Sequence, residues 1–392
     1  MKRLFILGLL SLSVFLSAQE PLTSTPMELF GDHLFIHLSV DGSEPLDFIF
    51  DTGDGLTVVD TEIALSLNLP LNHGKKETSA QGRIEGALTE HNTLELNGIR
   101  LEDDIQIYAT SLKHLEQSIG RNIDGIIGYD LLEHYGVKID FTNSRLYLYV
   151  GETFEYTGIG EKFEMGLEKF IPHIGASVTL NNGEKLTAEY FVNTGAATTM
   201  DFNSKFAEKN DIVFKTGDHY SYLVKGLGDQ ETLHYEGRVE QFRFGKIHFE
   251  NMPIGISQAK HGIQGNKKMA GIIGNRILKN FNVIFDYKNE SIYFERHVKS
   301  EKTFQVNACG FEIQLSEDNA RVLIHRVYEK GLAKPMGLKM EDEILSVNDE
   351  SVEEMTLPEI NKALNQDGTT VELVIKSGKE ERMVSLKLKE LI

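Results

Sequence analysis

The sequence predicts a mainly β protein that consists of two similar lobes, each a β-barrel or sandwich, and a small C-terminal domain of mixed α and β structure. Short apolar runs alternate with Gly, Asn and Asp turns over residues 28–150, and the same pattern returns over residues 163–297. Short strands at such spacing are typical of barrels and sandwiches. The pattern changes after Glu295, which predicts a separate domain over residues 298–392.

Each lobe carries the same three short motifs. They are Phe-Ile-Phe-Asp-Thr-Gly at 48–53, Asp-Gly-Ile-Ile-Gly at 124–128 and Val-Lys-Ile-Asp at 137–140 in the first lobe, and Tyr-Phe-Val-Asn-Thr-Gly at 190–195, Ala-Gly-Ile-Ile-Gly at 270–274 and Val-Ile-Phe-Asp at 283–286 in the second. The spacing between the copies stays at 142 to 146 residues. Agreement at three points indicates an internal duplication.

Most segments of the lobes are predicted as strands, with two exceptions. Residues 61–67 and 128–134 are each predicted as a single helix. Residues 151–162 are rich in Gly and Glu and are predicted to link the lobes. Residues 96–98 and 181–183 have the Asn-Gly content of hairpin turns, which need residues that adopt positive φ.

The start of the chain and its charge limit the choice of function. Residues 1–18 combine a basic start, an apolar run of about a dozen residues and a small final residue, which is typical of a secretory signal. An uncleaved anchor is the alternative, but the run is shorter than the roughly 20 apolar residues that span a bilayer. We expect no membrane span after signal removal. A formal net charge of −19 argues against nucleic acid or an anionic membrane surface as a partner.

Cysteine content bears on the compartment. The single Cys309 excludes disulfides within the chain. An exported protein without disulfides is more typical of a bacterium than of a small eukaryotic secreted domain. We therefore expect the periplasm or the cell exterior of a bacterium. Cys309 has no His or Asp near it in the sequence, so a small buried residue is predicted.

The motifs of the two lobes resemble those of the aspartic peptidases, in which an apolar strand ends in Asp-Thr-Gly and an apolar-apolar-Gly run follows in the same lobe. Two such lobes in one chain resemble the bilobal, pepsin-like arrangement, although the short lobes are closer to the retropepsin type. The resemblance implies an interlobe cleft that holds an extended polypeptide. It also implies that Asp51 and the residue at position 193 form a catalytic pair, without a metal ion or cofactor.

The second residue of that pair is Asn193. Two carboxyl groups held close together share one proton, so that one activates water while the other supplies a proton. An amide does neither at ordinary pH, and the loss of one partner in general acid–base catalysis costs roughly 10²–10⁴ in rate. The flanking residues of both loops are retained, namely Thr52, Gly53, Thr194 and Gly195. We therefore expect each Thr to bond across to the opposite loop and each Gly to permit close approach.

Asp54 offers a second arrangement, because it follows Asp51 by three residues. Two carboxyl groups this close raise one pKa and can share a proton. Such a pair would lie on one side of the cleft only. The alternative is that Asp54 is a solvated turn residue or a cap.

Residues 298–392 resemble a PDZ domain. The resemblance rests on Gly-Leu-Ala-Lys-Pro-Met-Gly-Leu at 331–338 and Glu-Asp-Glu-Ile-Leu-Ser-Val-Asn at 341–348. It implies a helix near residues 357–364 and a last strand near residues 383–388.

The PDZ resemblance implies a second peptide site. An extended peptide would add as a strand, and the backbone amides from Ala308 to Phe311, including Gly310, would hold its C-terminal carboxylate. Phe311 and Ile313, with Ile360 or Leu364, would line an apolar pocket. The alternative is a docking domain that binds no peptide in trans.

Two Gly-containing hairpins are candidates for covering the cleft. They are residues 76–88, with Gly82 near the tip, and residues 220–233, with Gly226 and Gly228. The second is not a phosphate loop, because neither a strand-to-helix context nor a Lys-Ser/Thr pair accompanies it. Tyr220 and Tyr222 are predicted to pack in the core.

His33 and His37 share one face of a predicted strand at a spacing that would suit a metal ion. No third ligand is evident near them, so we predict solvated positions and no metal site.

These features give one main hypothesis and two rivals. The main hypothesis is an exported aspartic-type endopeptidase-like protein with a PDZ domain, its activity reduced or lost through Asn193. The first rival is a non-catalytic peptide-binding protein in which the cleft and the PDZ groove both hold extended chains. The second rival is an envelope scaffold in which only the PDZ domain binds.

Overall fold

The computed structural model describes residues 19–78, 83–228, 231–297 and 303–392. The predicted signal at residues 1–18 lies outside these residues, and so does Gly82 at the tip of the first predicted hairpin. Over the described residues the chain is mainly β, which confirms the predicted fold class.

In the described residues, the first lobe contains ten strands and three α-helices. They are β1 Thr23–Phe30, β2 His33–Val40, β3 Leu46–Phe50, β4 Thr57–Asp60, α1 Thr61–Ser66, β5 Asn72–Thr78, β6 Arg83–Leu96, β7 Ile99–Thr110, α2 Lys113–Ile119, β8 Gly125–Ile127, α3 Tyr129–Leu132, β9 Tyr135–Asp140 and β10 Arg145–Val150. Helices α1 and α3 fall in the two segments for which the sequence predicts helices. Helix α2 lies in a segment for which it predicts none.

The second lobe follows the same plan. Its elements are β11 Glu161–Glu164, β12 Gly166–Glu168, β13 Ile171–Thr179, β14 Lys185–Val192, β15 Met200–Phe202, α4 Ser204–Lys209, α5 Ile212–Thr216, β16 His219–Lys225, β17 Glu231–Phe244, β18 Ile247–Ser257, β19 Gly271–Ile273, α6 Asn275–Leu278, β20 Phe281–Asp286 and β21 Ser291–Arg296. Strand β11 begins within the predicted linker.

The strand pairing repeats between the lobes. In the first lobe β8 pairs in parallel with β3 and antiparallel with β4. In the second lobe β19 pairs in parallel with β14 and antiparallel with β15. The middle strand of each trio carries the Gly-Ile-Ile motif. The duplication seen in the sequence is therefore also a duplication of topology.

The two lobes are joined by backbone pairing as well as by packing. Strand β9 pairs antiparallel with its counterpart β20, so that a 13-stranded sheet runs in the order β11-β21-β20-β9-β10-β1-β2-β3-β8-β4-β7-β6-β5. The second sheet has eight strands in the order β12-β13-β14-β19-β15-β18-β17-β16. One hydrophobic core contains buried side chains of both lobes. The pairing fixes the lobes relative to each other.

The C-terminal domain has its own sheet and core. Its elements are β22 Phe311–Leu315, β23 Val322–Val327, β24 Glu343–Val347, β25 Glu350–Ser351, α7 Leu357–Leu364, β26 Thr370–Ser377 and β27 Glu380–Lys387. The sheet order is β22-β23-β24-β26-β27, with β25 on β24. A capping box between Thr356 and Glu359 begins α7, whose buried Leu357, Ile360 and Leu364 face a core separate from that of the lobes.

We expect Gly128→Ala to lower the free energy of unfolding by more than about 2 kcal/mol. A Cβ at Gly128 would lie 2.0 Å from the backbone oxygen of Asp51 and 2.6 Å from that of Asp54, and neither oxygen can move without shifting the loop. Gly175→Ala is the control, because its Cβ would meet only the flexible end of Glu189, at 3.2 Å. Urea unfolding measures both variants. Equal stability of the two would contradict this account of the loop.

Candidate functional site

Asp51 and Asn193 each follow a buried strand, β3 and β14. The Asp51 N–H donates to the Ile127 carbonyl at 2.8 Å, and the Asn193 N–H donates to the Ile273 carbonyl at 3.0 Å. The last residues of β8 and β19 therefore hold the two loops in equivalent positions.

Thr52 and Thr194 connect the loops by reciprocal hydrogen bonds. Each backbone N–H donates to the opposite hydroxyl, at 3.0 Å from Thr52 and 3.1 Å from Thr194. Each hydroxyl in turn donates to a carbonyl of the opposite strand, Thr52 to Val192 at 2.8 Å and Thr194 to Phe50 at 2.7 Å. Both side chains are buried. The four bonds fix the separation of the loops.

This separation places the Asp51 carboxyl group opposite the Asn193 amide. The Asn193 Oδ1 accepts the Gly195 N–H at 2.7 Å, and Asp51 Oδ1 accepts the Gly53 N–H at 2.7 Å. A Cβ at Gly53 would lie 2.0 Å from Asn193 Nδ2 and 3.1 Å from Asp51 Oδ1. A Cβ at Gly195 would lie 2.1 Å from Asp51 Oδ2. Only glycine fits at either position while the two groups face each other.

The environment of Asp51 disfavours its charge. Burial raises the pKa of Asp51 to about 6, although the N–H groups of Gly53 and Gly195 oppose this rise. Asn193 carries no charge that would raise it further. Asp51 is therefore mainly ionised at neutral pH and mainly protonated in acid.

Asp54 is buried next to Asp51, and its side chain also lines the cleft. Its Oδ1 accepts the Leu56 N–H at 3.3 Å, whereas its Oδ2 is buried without a hydrogen-bond partner. Burial raises the pKa of Asp54 well above its usual value, and the charges of Asp51 and Asp130 raise it further. The alternative of a solvated turn residue is therefore wrong, because the loop packs the carboxyl group inside.

A cavity of about 1690 Å³ contains the site. Both lobes line it, and Asn361 and Lys362 of α7 contribute a third wall from the C-terminal domain. The hairpin of β5 and β6 contributes Glu77 and Ile84. The volume is larger than that of most small-molecule pockets, which measure about 300–1,000 Å³. A polypeptide segment fits such a space.

The hairpin of β16 and β17 crosses from the second lobe to the first. The carbonyl of Gly226 lies 2.7 Å from His114 Nε2, and Leu227 packs against buried side chains of the first lobe. Tyr220 and Tyr222 lie on this hairpin and line the cavity, and Tyr220 is also largely buried. The prediction that Tyr220 packs in the core is therefore correct for its burial, but the side chain also forms part of the cavity wall.

The prediction for His33 is wrong. Its ring lies beside the Gly195 backbone with Nδ1 buried and without a hydrogen-bond partner, and burial lowers the pKa of His33 to about 4 against the opposing charge of Asp32. His33 is therefore a neutral group beside the second loop. His37 lies 2.7 Å from Asp47 and is about half exposed. Among the described residues no group of three His, Cys, Asp or Glu is placed to hold a metal ion.

The loop of the C-terminal domain differs from the sequence-based expectation. Gly310 has a φ of +84°, and its N–H donates to Asn307 Oδ1 at 2.8 Å, so that this amide already has a partner within the chain. Phe311 and Ile313 are buried in the core of the domain. Burial raises the pKa of the Cys309 thiol to about 12, which leaves an unreactive side chain.

Comparison with protein families agrees with this geometry. Residues 36–131 match the aspartyl protease family, and residues 297–376 match the PDZ domain family. The chain therefore combines an aspartyl-protease-like domain with a C-terminal PDZ domain. No curated protein matches the chain. The described residues include no helix that is long and apolar enough to cross a membrane.

We expect Asp51→Asn to raise the free energy of unfolding above pH 6 by up to about 3 kcal/mol, and to leave it nearly unchanged near pH 4. The folded state retains a proton on Asp51 up to a pKa of about 6, whereas the unfolded state loses it near 3.8. The wild-type protein therefore loses stability as pH rises through this window. Urea unfolding from pH 4 to 8 measures the difference, with the exposed Glu44→Gln as control. A difference that does not depend on pH would contradict the assigned pKa.

Proposed function

We propose that this protein is an exported aspartic-type endopeptidase-like protein that takes extended polypeptides into the cavity between its lobes. The observation that carries the proposal is the pair of interlocked loops, which hold the Asp51 carboxyl group opposite the Asn193 amide. The family match over residues 36–131 supports the same class. The signal-like composition of residues 1–18 and the single cysteine support export to a bacterial periplasm or cell exterior.

Asp51 acts as the base in this proposal. At neutral pH its carboxylate takes a proton from water while the water oxygen attacks the carbonyl carbon of the peptide. Asn193 Nδ2 donates a hydrogen bond to the carbonyl oxygen, on which negative charge develops. The proton on Asp51 then passes to the departing amine as the C–N bond breaks. One carboxyl group and one amide thus complete the hydrolysis.

Asn193 sets the limit on this reaction. The amide stabilises charge on the oxygen but supplies no proton. Asp54 is the other buried carboxyl group of the site, and burial raises its pKa well above its usual value. It lies in the same loop as Asp51, however, and not on the opposite side of the cleft.

The second candidate function is peptide binding without cleavage. The observation that favours it is Asn193 itself, since the interlocked loops are retained while the second carboxyl group is absent. In this case the cavity and the PDZ domain hold extended polypeptides and release them unchanged.

We expect Asn193→Asp to raise peptidase activity by roughly 10²–10⁴. The gain is largest in acid, because the restored pair must share one proton and loses it as pH rises. Cleavage of an unfolded, fluorescently labelled protein between about pH 3 and 7 measures the effect. The matched control is Asp51→Asn combined with Asn193→Asp, which we expect to abolish the gain.

Two results would count against the peptidase proposal. An Asn193→Asp variant that shows no peptidase activity but has a normal free energy of unfolding would favour the peptide-binding function. Wild-type activity that survives Asp51→Asn would remove Asp51 from the reaction altogether.

We expect Asp54→Asn to change the activity of the Asn193→Asp protein by less than about tenfold. Asp54 shares a loop with Asp51 and does not reach across the cleft, so that it has no part in a pair that spans the lobes. Initial rates of the single and double variants provide the comparison, and Asp54→Ala tests the loss of the side chain. A loss as large as that caused by Asp51→Asn would assign the catalytic pair to Asp51 and Asp54.

A further inference from the structure

The first lobe covers one edge of the PDZ sheet. Among the described strands β22 pairs only with β23, so its other edge has no neighbouring strand. Helix α2 lies beside β22, with Cα atoms of the two elements within 8 Å of each other. Gly120, which ends α2, packs against Leu357 at the start of α7, since a Cβ at Gly120 would lie 2.5 Å from Leu357 Cβ. Helix α2 therefore contacts both β22 and α7, which border the groove.

This position overlaps with that of a strand added along the contacted part of β22. Neighbouring strands in a sheet lie about 4.8 Å apart. A helix with its side chains is about 10–12 Å wide, so that a helix within 8 Å of β22 occupies the place of a further strand. Unpaired edges attract extended chains, and a covering helix is a common way to block them. An extended peptide and α2 thus exclude each other at β22.

Helix α2 is also part of the cavity that contains Asp51. Leu115 and Ile119 of α2 line this cavity. His114 lies 2.7 Å from the carbonyl of Gly226 in the hairpin of β16 and β17. Movement of α2 would therefore remove a wall of the cavity and a contact of the hairpin at the same time.

The PDZ domain has a second attachment that does not involve α2. Three ion pairs join it to the second lobe: Arg326 with Glu231 at 3.0 Å, Lys330 with Asp218 at 2.5 Å and Arg238 with Glu390 at 2.8 Å. The rings of Tyr220 and Tyr328 pack with centroids 5.0 Å apart. The domain therefore has contacts with the second lobe that do not depend on α2.

We propose that helix α2 is an internal ligand of the PDZ groove, and that an extended polypeptide pairs with β22 only by displacing α2, which opens the cavity around Asp51. A regulatory role for this displacement rests on the proposed function of the cavity. The competition between α2 and a peptide at β22 is independent of that function. The apparent peptide affinity is the intrinsic affinity multiplied by the fraction of molecules in which α2 is already displaced. Loosening α2 must therefore strengthen peptide binding.

The test uses the full chain and a fluorescein-labelled, unstructured peptide rich in apolar residues. Gly120→Val drives a side chain into Leu357 and is expected to bind the peptide at least about tenfold more tightly than the wild type, measured by fluorescence anisotropy. Gly98→Val is the matched control. Gly98 has a φ of +72°, close to the +87° of Gly120, but no atom lies within 4 Å of its Cβ position. We expect the control to bind like the wild type.

A second measurement follows α2 directly. Saturating peptide is expected to increase amide hydrogen exchange in α2 and in the hairpin of β16 and β17 of the wild-type protein. Ile119→Ala is a second opening variant in case Gly120→Val does not fold, because the side chains of Ile119 and Pro358 both lie within 4.0 Å of a Cβ built at Gly31.

Three results would overturn the inference. They are equal affinity in the wild type and the folded opening variant, binding that leaves α2 exchange unchanged, and no binding to either protein. None of these readouts requires peptidase activity. An Asn193→Asp protein that folds but stays inactive, together with competitive binding at β22, would therefore count against the peptidase proposal and support this one.

Discussion

The reciprocal hydrogen bonds between Thr52 and Thr194 are the constraint on which the site depends. Each hydroxyl is buried, and each gives one hydrogen bond to the opposite strand and takes one from the opposite loop. A buried polar group left without a partner costs about 1–3 kcal/mol, so the loops are stable at one separation only. That separation requires glycine at Gly53 and Gly195, and it places Asp51 against Asn193.

The close approach of the two loops also determines the pKa values of the carboxyl groups in the site. The loops withdraw the carboxyl groups of Asp51 and Asp54 from water, and burial is the main cause of both raised pKa values. In a pair of carboxyl groups the charge of one partner raises the pKa of the other. With an amide at Asn193 this repulsion is absent across the cleft, and Asp54 experiences it only from Asp51 and Asp130 of the first lobe. Both carboxyl groups of the site thus lie on the first-lobe side of the cleft, and the pKa of each is raised.

The PDZ domain is in direct contact with the lobes and contributes to their cavity. Its helix α7 forms a wall of the cavity, and its edge strand β22 lies against α2 of the first lobe. Helix α2 has only seven residues, and such short helices have little stability of their own in water. Its position is therefore maintained by packing: Leu115 and Ile119 contact a buried cluster of the first lobe, and the helix also contacts β22, α7 and the hairpin of β16 and β17. Contacts of this kind couple the groove and the cavity.

The sequence by itself determined the duplication, the two loops with Asn193 in the second, the PDZ domain, and helices α1 and α3. These features follow from short motifs whose backbone geometry depends on a few neighbouring residues. Only the tertiary structure decided that His33 lies beside Gly195, that Asp54 is buried, and that α2 covers β22. These contacts join segments that are distant in the chain, and the pKa values depend on how completely the packed lobes exclude water, which no local pattern encodes.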